Sequence, residues 1–440
     1  MLRPGLLLLT VTLTACSTVD SGALPETTNA SQGEDTGAPA SSGEAAPTSG
    51  LTGPQSGTSS DEESLSASAT DADPDGTGED TGSTTGAAAL DYGMSGPYPV
   101  GNSRFTLSVG DRELLVELWY PADASAAAEA ATGRPIEDFV PAGPDHDALV
   151  QLLAELSPAG QIGTRLQTSS AFAAPPAADG PYPLIAFSHC HNCVRFSAFT
   201  VAERLASHGF IVVAPDHTGN TLFDQLNGDS ADINEEFLAV RAADISAVLD
   251  AVLAAQDPIP EPLRGLADPD RVGALGHSYG AATTGRVAQN DPRIKAALPI
   301  AAPVENPVFP NTHVADIHVP MLMVLALEDN SIQKIGNNLI DLNFMSANPP
   351  VRLVSVTDAG HWNFTDICGL VAGFSAGCGE GERQTEPGVM FTYLDIDIGR
   401  EIASAYSLAF FDRYLRDNTA ADDFLGAGTP PEFVTVEVRE

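Results

Sequence analysis

Residues 270–290 read DRVGALGHSYGAATTGRVAQN, and the rest of the chain is organised around this stretch. It opens with a short apolar run typical of a strand, continues with the pattern G-x-S-x-G at residues 276–280, and ends with residues that suit a helix. A strand, a tight turn and a helix in this order predict a nucleophile elbow, with Ser278 exposed at its apex. Glycine suits positions 276 and 280, because strand and helix nearly touch at such a turn and leave no space for a side chain.

The same pattern occurs a second time, as GFSAG at residues 373–377. No strand-like run precedes this copy, and the residues after it read CGEG instead of a helix. It also follows the last histidine of the chain, so the order serine, acid, histidine cannot be completed from it. The second copy is therefore predicted to be a glycine-rich loop.

The chain is strongly acidic, with 59 acidic residues against 20 basic ones and a formal net charge of −39. Such a chain repels nucleic acid and anionic lipid headgroups, so neither is expected as a partner. The charge bears on solubility and association, and it leaves the fold open.

Residues 1–16 have the composition of a processing segment, with a positive residue, a short apolar core and a small-residue cleavage site. The junction Leu13-Thr14-Ala15-Cys16 resembles the bacterial lipobox, which implies diacylation of Cys16 after cleavage. Ser17 in second place resembles lipoproteins that are sent on to an outer membrane. We therefore expect an exported protein held by lipid at a bacterial outer membrane or cell surface. An ordinary secretory signal that happens to contain a cysteine is the alternative.

Composition divides the remainder into two parts. Residues 17–90 are acidic, rich in Gly, Ser and Thr, and almost without large apolar side chains, which predicts a disordered linker. From residue 91 to 440 the composition becomes globular, and the length suits one large α/β catalytic domain.

Strands alternate with helices in the globular part, which predicts a mostly parallel central sheet with helices on both faces. Residues 122–180 are expected to be irregular apart from one helix at 147–156. Further helices are predicted through 201–206 and at 233–253 and 402–415, the last one closing the domain. The predicted strands are 105–109, 114–120, 183–188, 210–214, 271–275, 296–300, 320–327 and, as the last, 351–356.

A serine hydroxyl needs a base that is oriented by a third group before it becomes a good nucleophile. His361 is the base that the chain order predicts, because it is the only histidine after the last predicted strand. Asp329 directly follows the 320–327 strand, where such folds place the acid. Glu305, which follows the preceding strand, is the rival for this role.

Two backbone N–H groups should hold the oxyanion. One is expected from Tyr279, the residue after the nucleophile, and the other from the loop 188–193, at His191. The side chains of His277, Tyr279, Trp362 and Phe364 flank the catalytic residues, so they are expected to wall the acyl site.

Four cysteines remain when Cys16 is set aside, an even number in an exported chain, and this favours disulfides. Three connectivities are possible. We expect Cys368 to pair with Cys378, because they lie close together in a glycine-rich segment, and Cys190 with Cys193 as the remaining pair. Two histidines and two cysteines in residues 189–193 also suggest a metal site, but such closely spaced ligands do not converge on one ion. No metal or other cofactor is predicted.

Several short motifs form a specific set between residues 100 and 425, although each is common alone. They are Trp119-Tyr120-Pro121-Ala122, Phe187-Ser188-His189, Ala206-Ser207-His208-Gly209, Ala214-Pro215-Asp216-His217, Arg241-Ala242-Ala243-Asp244, Gly276-His277-Ser278-Tyr279-Gly280 and Phe410-Phe411.

Together these motifs resemble the α/β-hydrolase family that includes platelet-activating-factor acetylhydrolases and bacterial proteins called predicted dienelactone hydrolases. The resemblance implies an α/β-hydrolase fold and a serine esterase. Two positions depart from the family pattern. Cys190 replaces a usual glycine, and no aspartate follows the strand that ends in Ile300-Ala-Ala-Pro303, which favours Asp329 as the acid.

The sequence therefore predicts a monomeric serine carboxylic-ester hydrolase that acts on short-chain acyl or lipid-like esters. A polyester hydrolase or lipase is the alternative among hydrolases. A non-catalytic surface-binding module with the same fold is the alternative outside them, and the complete set of Ser278, Asp329 and His361 argues against it.

Overall fold

The computed structural model describes residues 91–156, 167–428 and 430–440. The predicted processing segment, the predicted linker and Cys16 lie outside the described residues. In the part that is described, no helix is both long and apolar enough to span a bilayer.

Twelve strands are present in the described part of the chain. In chain order they are β1 (Val100–Val109), β2 (Arg112–Pro121), β3 (Ser170–Phe172), β4 (Tyr182–Ser188), β5 (Ile211–Pro215), β6 (Ala267–His277), β7 (Ile294–Ile300), β8 (Met321–Ala326), β9 (Val351–Val356), β10 (Glu380–Glu382), β11 (Met390–Thr392) and β12 (Val434–Arg439).

Nine α-helices accompany these strands in the same described ranges. They are α1 (Ala127–Thr132), α2 (Pro144–Glu155), α3 (Phe199–Ser207), α4 (Leu222–Asn227), α5 (Glu235–Ala254), α6 (Tyr279–Asn290), α7 (Gln333–Ser346), α8 (Ile396–Leu415) and α9 (Ala421–Leu425).

Ten strands form one sheet in the order β12-β9-β8-β7-β6-β4-β5-β2-β1-β3, and β10 pairs with β11 in a separate hairpin. The six strands from β9 to β5 in this order are mutually parallel. Strand β2 pairs antiparallel with β5, β1 with β2, and β12 with β9. This mostly parallel sheet confirms the predicted fold class.

Helices cover both faces of the sheet. Alternate residues of a strand point to opposite sides, and both sets of side chains are apolar in the central strands. Ile185 and Phe187 of β4 belong to the hydrophobic core that also contains α3 and α8 side chains. Leu184 and Ala186 belong to the second core, with side chains of α5 and α7. The central strands are consequently apolar on both faces, as their sequence runs indicate.

The turn between β6 and α6 needs both glycines that the sequence places there. A Cβ on Gly276 would lie 2.1 Å from the carbonyl oxygen of Gly280, and a Cβ on Gly280 would lie 1.9 Å from that of Ser188. Any side chain at either position would push the helix away from the strands, so the close approach predicted for the elbow is confirmed.

Two expectations about the outline of the domain are wrong. Residues 122–180 contain the short helix α1 and the edge strand β3 in addition to α2. Strand β9 is not the last strand and α8 does not close the chain, because α9 and β12 follow. The residues of β12, VTVEVR, alternate between buried and exposed in their first half, and that period-two pattern is the sequence signal for this strand.

Candidate active site

The predicted catalytic residues lie where the parallel strands end. Ser278 follows β6, Asp329 follows β8 by three residues and His361 follows β9 by five. Because parallel strands present their carboxyl ends at one edge of the sheet, residues far apart in sequence meet there.

Ser278 has an unusual backbone conformation, with φ 57° and ψ −120°. Its N–H donates to the carbonyl of Ile300 at the end of β7, over 2.8 Å. Its neighbours His277 and Tyr279 are buried, whereas Ser278 is partly exposed. A strained serine presented to solvent between buried neighbours is the geometry of a nucleophile elbow.

His361 and Asp329 form a buried pair. The imidazole Nδ1 lies 2.7 Å from Asp329 Oδ2, and the two residues are only 2% and 0% exposed. The second carboxylate oxygen accepts hydrogen bonds from the N–H groups of Ser331 and Ile332 over 2.9 and 3.0 Å. The carboxylate is thus fixed from two sides, and a proton on Nδ1 leaves Nε2 of His361 free to act as a base.

His361 is also tied to the residue before the elbow serine. Nε2 of His277 lies 2.8 Å from the carbonyl oxygen of His361, to which it donates, and the two imidazole centroids are 4.8 Å apart. Burial holds the pKa of His277 well below its usual value, so it remains a neutral donor. The elbow and the histidine loop are therefore joined directly.

The other acids near the predicted site have different partners. Glu305 accepts from the N–H of Val314 over 2.8 Å, and its side chain is 42% exposed. Glu328 binds Arg383 over 3.0 Å. Asp358 has a positive φ of 59° and also binds Arg383, over 2.7 Å. The structure brings Asp329 to His361 and leaves Glu305 on a different loop.

The loop after β4 is closed by a disulfide between Cys190 and Cys193. His191 lies inside this small ring, and its Nδ1 is 2.7 Å from Asn220 Nδ2. The His191 imidazole meets the Tyr279 ring edge to face, with centroids 6.1 Å apart. The two residues predicted to supply oxyanion donors are therefore neighbours in space. Burial lowers the pKa of His191 to about 4.

A second disulfide joins Cys368 to Cys378 in the segment after His361. Both predicted pairings are thus confirmed. Trp362 packs against Phe374 of this segment, with ring centroids 4.1 Å apart. The backbone N–H of Trp362 donates to the carbonyl of Ala376 over 2.9 Å. The segment folds back onto the residues that follow the histidine.

The predicted acyl-site side chains are placed differently from one another. His277, Trp362 and Phe364 are all buried, and the ring centroids of the first two lie 4.8 and 5.2 Å from that of His361. Their contact with an acyl group stays a prediction. Tyr279 stacks on Phe309, with centroids 5.4 Å apart, which adds an aromatic side chain that the sequence reasoning did not name.

Groups of three or more His, Cys, Asp or Glu side chains suited to a metal ion are absent from the described residues. In residues 189–193 the two cysteines are consumed by the disulfide. His189 Nδ1 donates to the carbonyl of Cys190 over 2.7 Å, and its Nε2 accepts from the N–H of His217 over 3.0 Å.

Two family models match the chain. One, described as PET hydrolase-like, matches residues 175–373, and the other, platelet-activating factor acetylhydrolase isoform II, matches residues 88–243. The platelet-activating factor acetylhydrolase of Cavia porcellus is 22% identical over 73% of this chain and 77% of its own length. Cutinase est2 of Thermobifida alba is 32% identical over 35% of this chain.

A solved structure shares the fold. The ferulic acid esterase from Streptomyces cinnamoneus superposes with a TM-score of 0.57 at 23% identity, covering 77% of this chain and 96% of that one. The chain is a carboxylic ester hydrolase of the α/β-hydrolase fold. This hydrolase spans only 44% of the length of Cutinase est2, so the relatives leave its own substrate to be proposed.

The motifs of this hydrolase resemble those of platelet-activating-factor acetylhydrolases. The second family model and the Cavia porcellus relative confirm this resemblance. Two polar residues near the site were missed. Arg241 and Asn220 are buried side by side, with Arg241 Nη1 2.8 Å from Asn220 Oδ1. Arg241 belongs to the motif at residues 241–244, and Asn220 follows the motif at residues 214–217. A sequence motif does not show which atoms its residues contact.

Proposed function

We propose that this hydrolase is a serine carboxylesterase in which Ser278 is the nucleophile, His361 the base and Asp329 the group that orients the imidazole. The observation that carries the proposal is the buried 2.7 Å contact between His361 Nδ1 and Asp329, joined through His277 to a strained serine at an elbow. In this arrangement the imidazole takes the hydroxyl proton as the oxygen attacks the ester carbonyl.

The tetrahedral intermediate places negative charge on the former carbonyl oxygen. We propose that the backbone N–H groups of Tyr279 and His191 hold this oxyanion. Support comes from the position of Tyr279 at the first residue of α6 and from the contact between the two side chains. His361 then gives its proton to the leaving alcohol, and a water molecule releases the acyl group from Ser278 by the same steps in reverse.

The proposed substrates are short-chain acyl or lipid-like esters, with the acyl group lying beside the elbow against aromatic side chains. The stacked pair of Tyr279 and Phe309 supports an apolar acyl site. His277, Trp362 and Phe364 would define the wall behind His361.

A polyester is the second candidate substrate, and two findings favour it. The PET hydrolase-like model covers residues 175–373, which include Ser278 and His361, and cutinases are among the relatives. A polyester chain and a monomeric ester present the same bond to the serine, so the two candidates differ only in how the surface around the site receives the rest of the molecule.

Turnover of p-nitrophenyl esters from acetate to palmitate, together with release of soluble products from a polyester film, tests the proposal. We expect short acyl chains to be cleaved fastest. We expect Ser278→Ala to reduce turnover by about 10⁶-fold while the fold is retained. Full activity in Ser278→Ala would refute the mechanism, and binding without turnover in the wild type would support a surface-binding module instead.

We also propose that the hydrolase is a monomer tethered to a bacterial outer membrane or cell surface by diacylated Cys16. The Leu-Thr-Ala-Cys junction at residues 13–16 supports the tether. Mass spectrometry of the membrane fraction should show a diacylglyceryl group on an N-terminal Cys16. A soluble product that keeps Met1 would contradict the tether and leave the esterase untouched.

A further inference from the structure

Arg241, on α5, is a buried cation next to the proposed oxyanion site. It is 0% exposed, and among the described residues no carboxylate lies within ion-pair distance of it. Burial lowers the pKa of Arg241 to about 9, which still leaves a positive charge at neutral pH. The Asp244 carboxylate acts on Arg241 electrostatically without forming an ion-pair contact, and the hydrogen-bond partners of Arg241 are neutral groups. Because removing a charge from water without a counter-ion in contact is costly, these partners indicate the role of the side chain.

Those partners belong to both halves of the proposed oxyanion hole. On the side of the disulfide loop, Arg241 donates to the carbonyl of His189 and, over 3.1 Å, to Ser188 Oγ. On the side of α6, its Nε donates to Thr283 Oγ1 over 3.1 Å, and that hydroxyl donates to the carbonyl of Tyr279 over 3.0 Å. The guanidinium also lies 4.6 Å from the centre of the Tyr279 ring. One side chain thus spans the two segments that must supply the N–H donors.

Asn220 extends this arrangement to His191. Arginine has only donors, so the Asn220 atom 2.8 Å from Arg241 Nη1 has to be the amide oxygen. The amide nitrogen then faces the carbonyl of Ala231 over 3.1 Å and Nδ1 of His191 over 2.7 Å. A donor that faces Nδ1 requires this nitrogen to be unprotonated, which places the imidazole proton on Nε2.

A second chain of hydrogen bonds closes the network on its other side. Ser188 Oγ lies 2.9 Å from His217 Nε2, and His217 Nδ1 lies 3.0 Å from Asp244 Oδ2, while Asp244 is paired with Arg112. These three residues have the composition of a serine triad, but all are buried, so no substrate reaches the hydroxyl. This series of hydrogen bonds instead gives the Ser188 hydroxyl proton an acceptor, His217 Nε2. The Ser188 oxygen is then left to accept from Arg241.

We propose that Arg241, acting directly and through Asn220, is the positioning residue that joins the two halves of the oxyanion hole and keeps His191 as the tautomer with its proton on Nε2. This inference rests on the proposed esterase mechanism only for its consequence in activity. The tautomer itself is independent of catalysis.

The tautomer is tested first in the unmodified protein. In ¹⁵N–¹H correlation spectra of the folded enzyme at neutral pH, the His191 ring should show a protonated Nε2 and an unprotonated Nδ1. A proton on Nδ1 would overturn the proposal, and this measurement requires no variant to fold.

Asn220→Asp is the decisive variant, because it keeps the shape and replaces the donor with an acceptor. The new carboxylate faces Arg241 on one side and requires a proton on His191 Nδ1 on the other. The groups that act on this ring are Arg241, Asp232, His189 and Tyr279, and a carboxylate added among them favours the imidazolium. We expect kcat/KM to fall by about 10²-fold, mainly in kcat, and a new protonation step of His191 to appear above pH 5.

The thermal unfolding midpoint separates positioning from a purely structural role. In Asn220→Asp, Arg241 gains an ionic partner while Ala231 loses a donor, so we expect little change in the midpoint. A large loss of stability with an unchanged His191 spectrum would overturn the proposal. Arg241→Lys keeps the charge but cannot make the four bonds, and it should lower kcat more than it raises KM. Unchanged kcat in Arg241→Lys would also overturn it.

Asn343→Asp is the matched control, because Asn343 is a buried asparagine that binds the backbone of Glu305. It should lose some stability and keep its kcat/KM and its His191 spectrum. The two proposals fail on different measurements. The esterase proposal fails if Ser278→Ala remains active, whereas the positioning proposal fails if the His191 ring carries its proton on Nδ1.

Discussion

Two loops closed by disulfides flank the proposed catalytic residues, and they are held in place by different forces. The loop at residues 189–193 rests on hydrogen bonds to buried polar groups, in which Asn220 contacts His191 and Arg241 donates to the carbonyl of His189. The segment at residues 368–378 rests on apolar packing, in which Trp362 and Phe374 are in contact and Ile367 and Leu370 are buried.

The contrast corresponds to what each loop must do. A hydrogen bond is directional, so the first loop is fixed in angle as well as in place, as the oxyanion donor proposed in it requires. Apolar packing is non-directional and supplies stability in proportion to the area buried. The second segment only has to cover the residues after His361, because His361 itself is held by its hydrogen bond to Asp329.

The largest effect is expected from loss of the Asp329 carboxylate that contacts His361. Asp329→Asn should lower kcat by about 10⁴-fold, because an amide no longer holds the imidazole in the productive tautomer. Steady-state kinetics with a p-nitrophenyl ester measures it. Glu305→Gln is the control, since Glu305 contacts Val314 and His313 instead of His361. Loss of activity in Glu305→Gln with full activity in Asp329→Asn would exchange the two assignments.

The next effect concerns the polar loop. Replacing Cys190 and Cys193 together by alanine should lower kcat/KM by up to about 10²-fold, because His191 lies inside the ring and a small displacement of its N–H is costly. Ring closure of this size stabilises by only about 2 kcal/mol. Kinetics and urea unfolding on the same preparation compare the two losses, and an unchanged kcat/KM would show that hydrogen bonds alone hold the loop.

Opening the disulfide of the apolar segment should reduce stability more than activity. Replacing Cys368 and Cys378 by alanine opens a longer ring and should reduce the free energy of unfolding by about 3 kcal/mol. We expect kcat to change much less than in the Cys190 and Cys193 variant, because the Asp329–His361 contact does not depend on this bridge. Equal losses of kcat in the two double variants would remove the distinction between the loops.

The last effect is a pH dependence of stability, which is measured by unfolding instead of by turnover. Burial holds the pKa of His189, His217 and His277 well below the usual value and lowers that of His191 to about 4. Below pH 6.5 the unfolded chain binds protons that these folded histidines do not. The free energy of unfolding should therefore decrease from pH 7 to pH 5, by up to about 1.4 kcal/mol per pH unit for each histidine.

Urea unfolding at several pH values measures this slope. Three of the four histidines belong to the polar loop and its network, so most of the slope should come from that side. His277→Gln should retain the greater part of it. A slope that vanished in His277→Gln would assign the pH dependence to His277, at the end of β6, instead.

Much of the site was predictable because its signals are local. The elbow needs Gly276 and Gly280, since the backbone atoms beside them come within about 2 Å of any added Cβ. The order of Ser278, Asp329 and His361 follows from the order of the strands. Cys368 and Cys378 lie ten residues apart, and close spacing favours their pairing.

The errors have a physical cause as well. The sequence does not predict strand β12, because six alternating residues form a weak signal until β9 is available to pair with them. Helix α1 and strand β3 are short elements that gain their stability from tertiary contacts, and intrinsic propensity alone does not identify such elements.

By itself, the sequence determined the α/β fold class, the nucleophile elbow and the chain order of the predicted triad, because each depends on neighbouring residues or on hydrophobic period. Only the tertiary structure decided that Asp329 and not Glu305 meets His361, and that Arg241 joins Thr283, Ser188, His189 and Asn220. These contacts connect residues 21 to 53 positions apart in the Arg241 network. They exist only after α5 has packed on the sheet, since packing and not sequence distance sets which buried donors and acceptors meet.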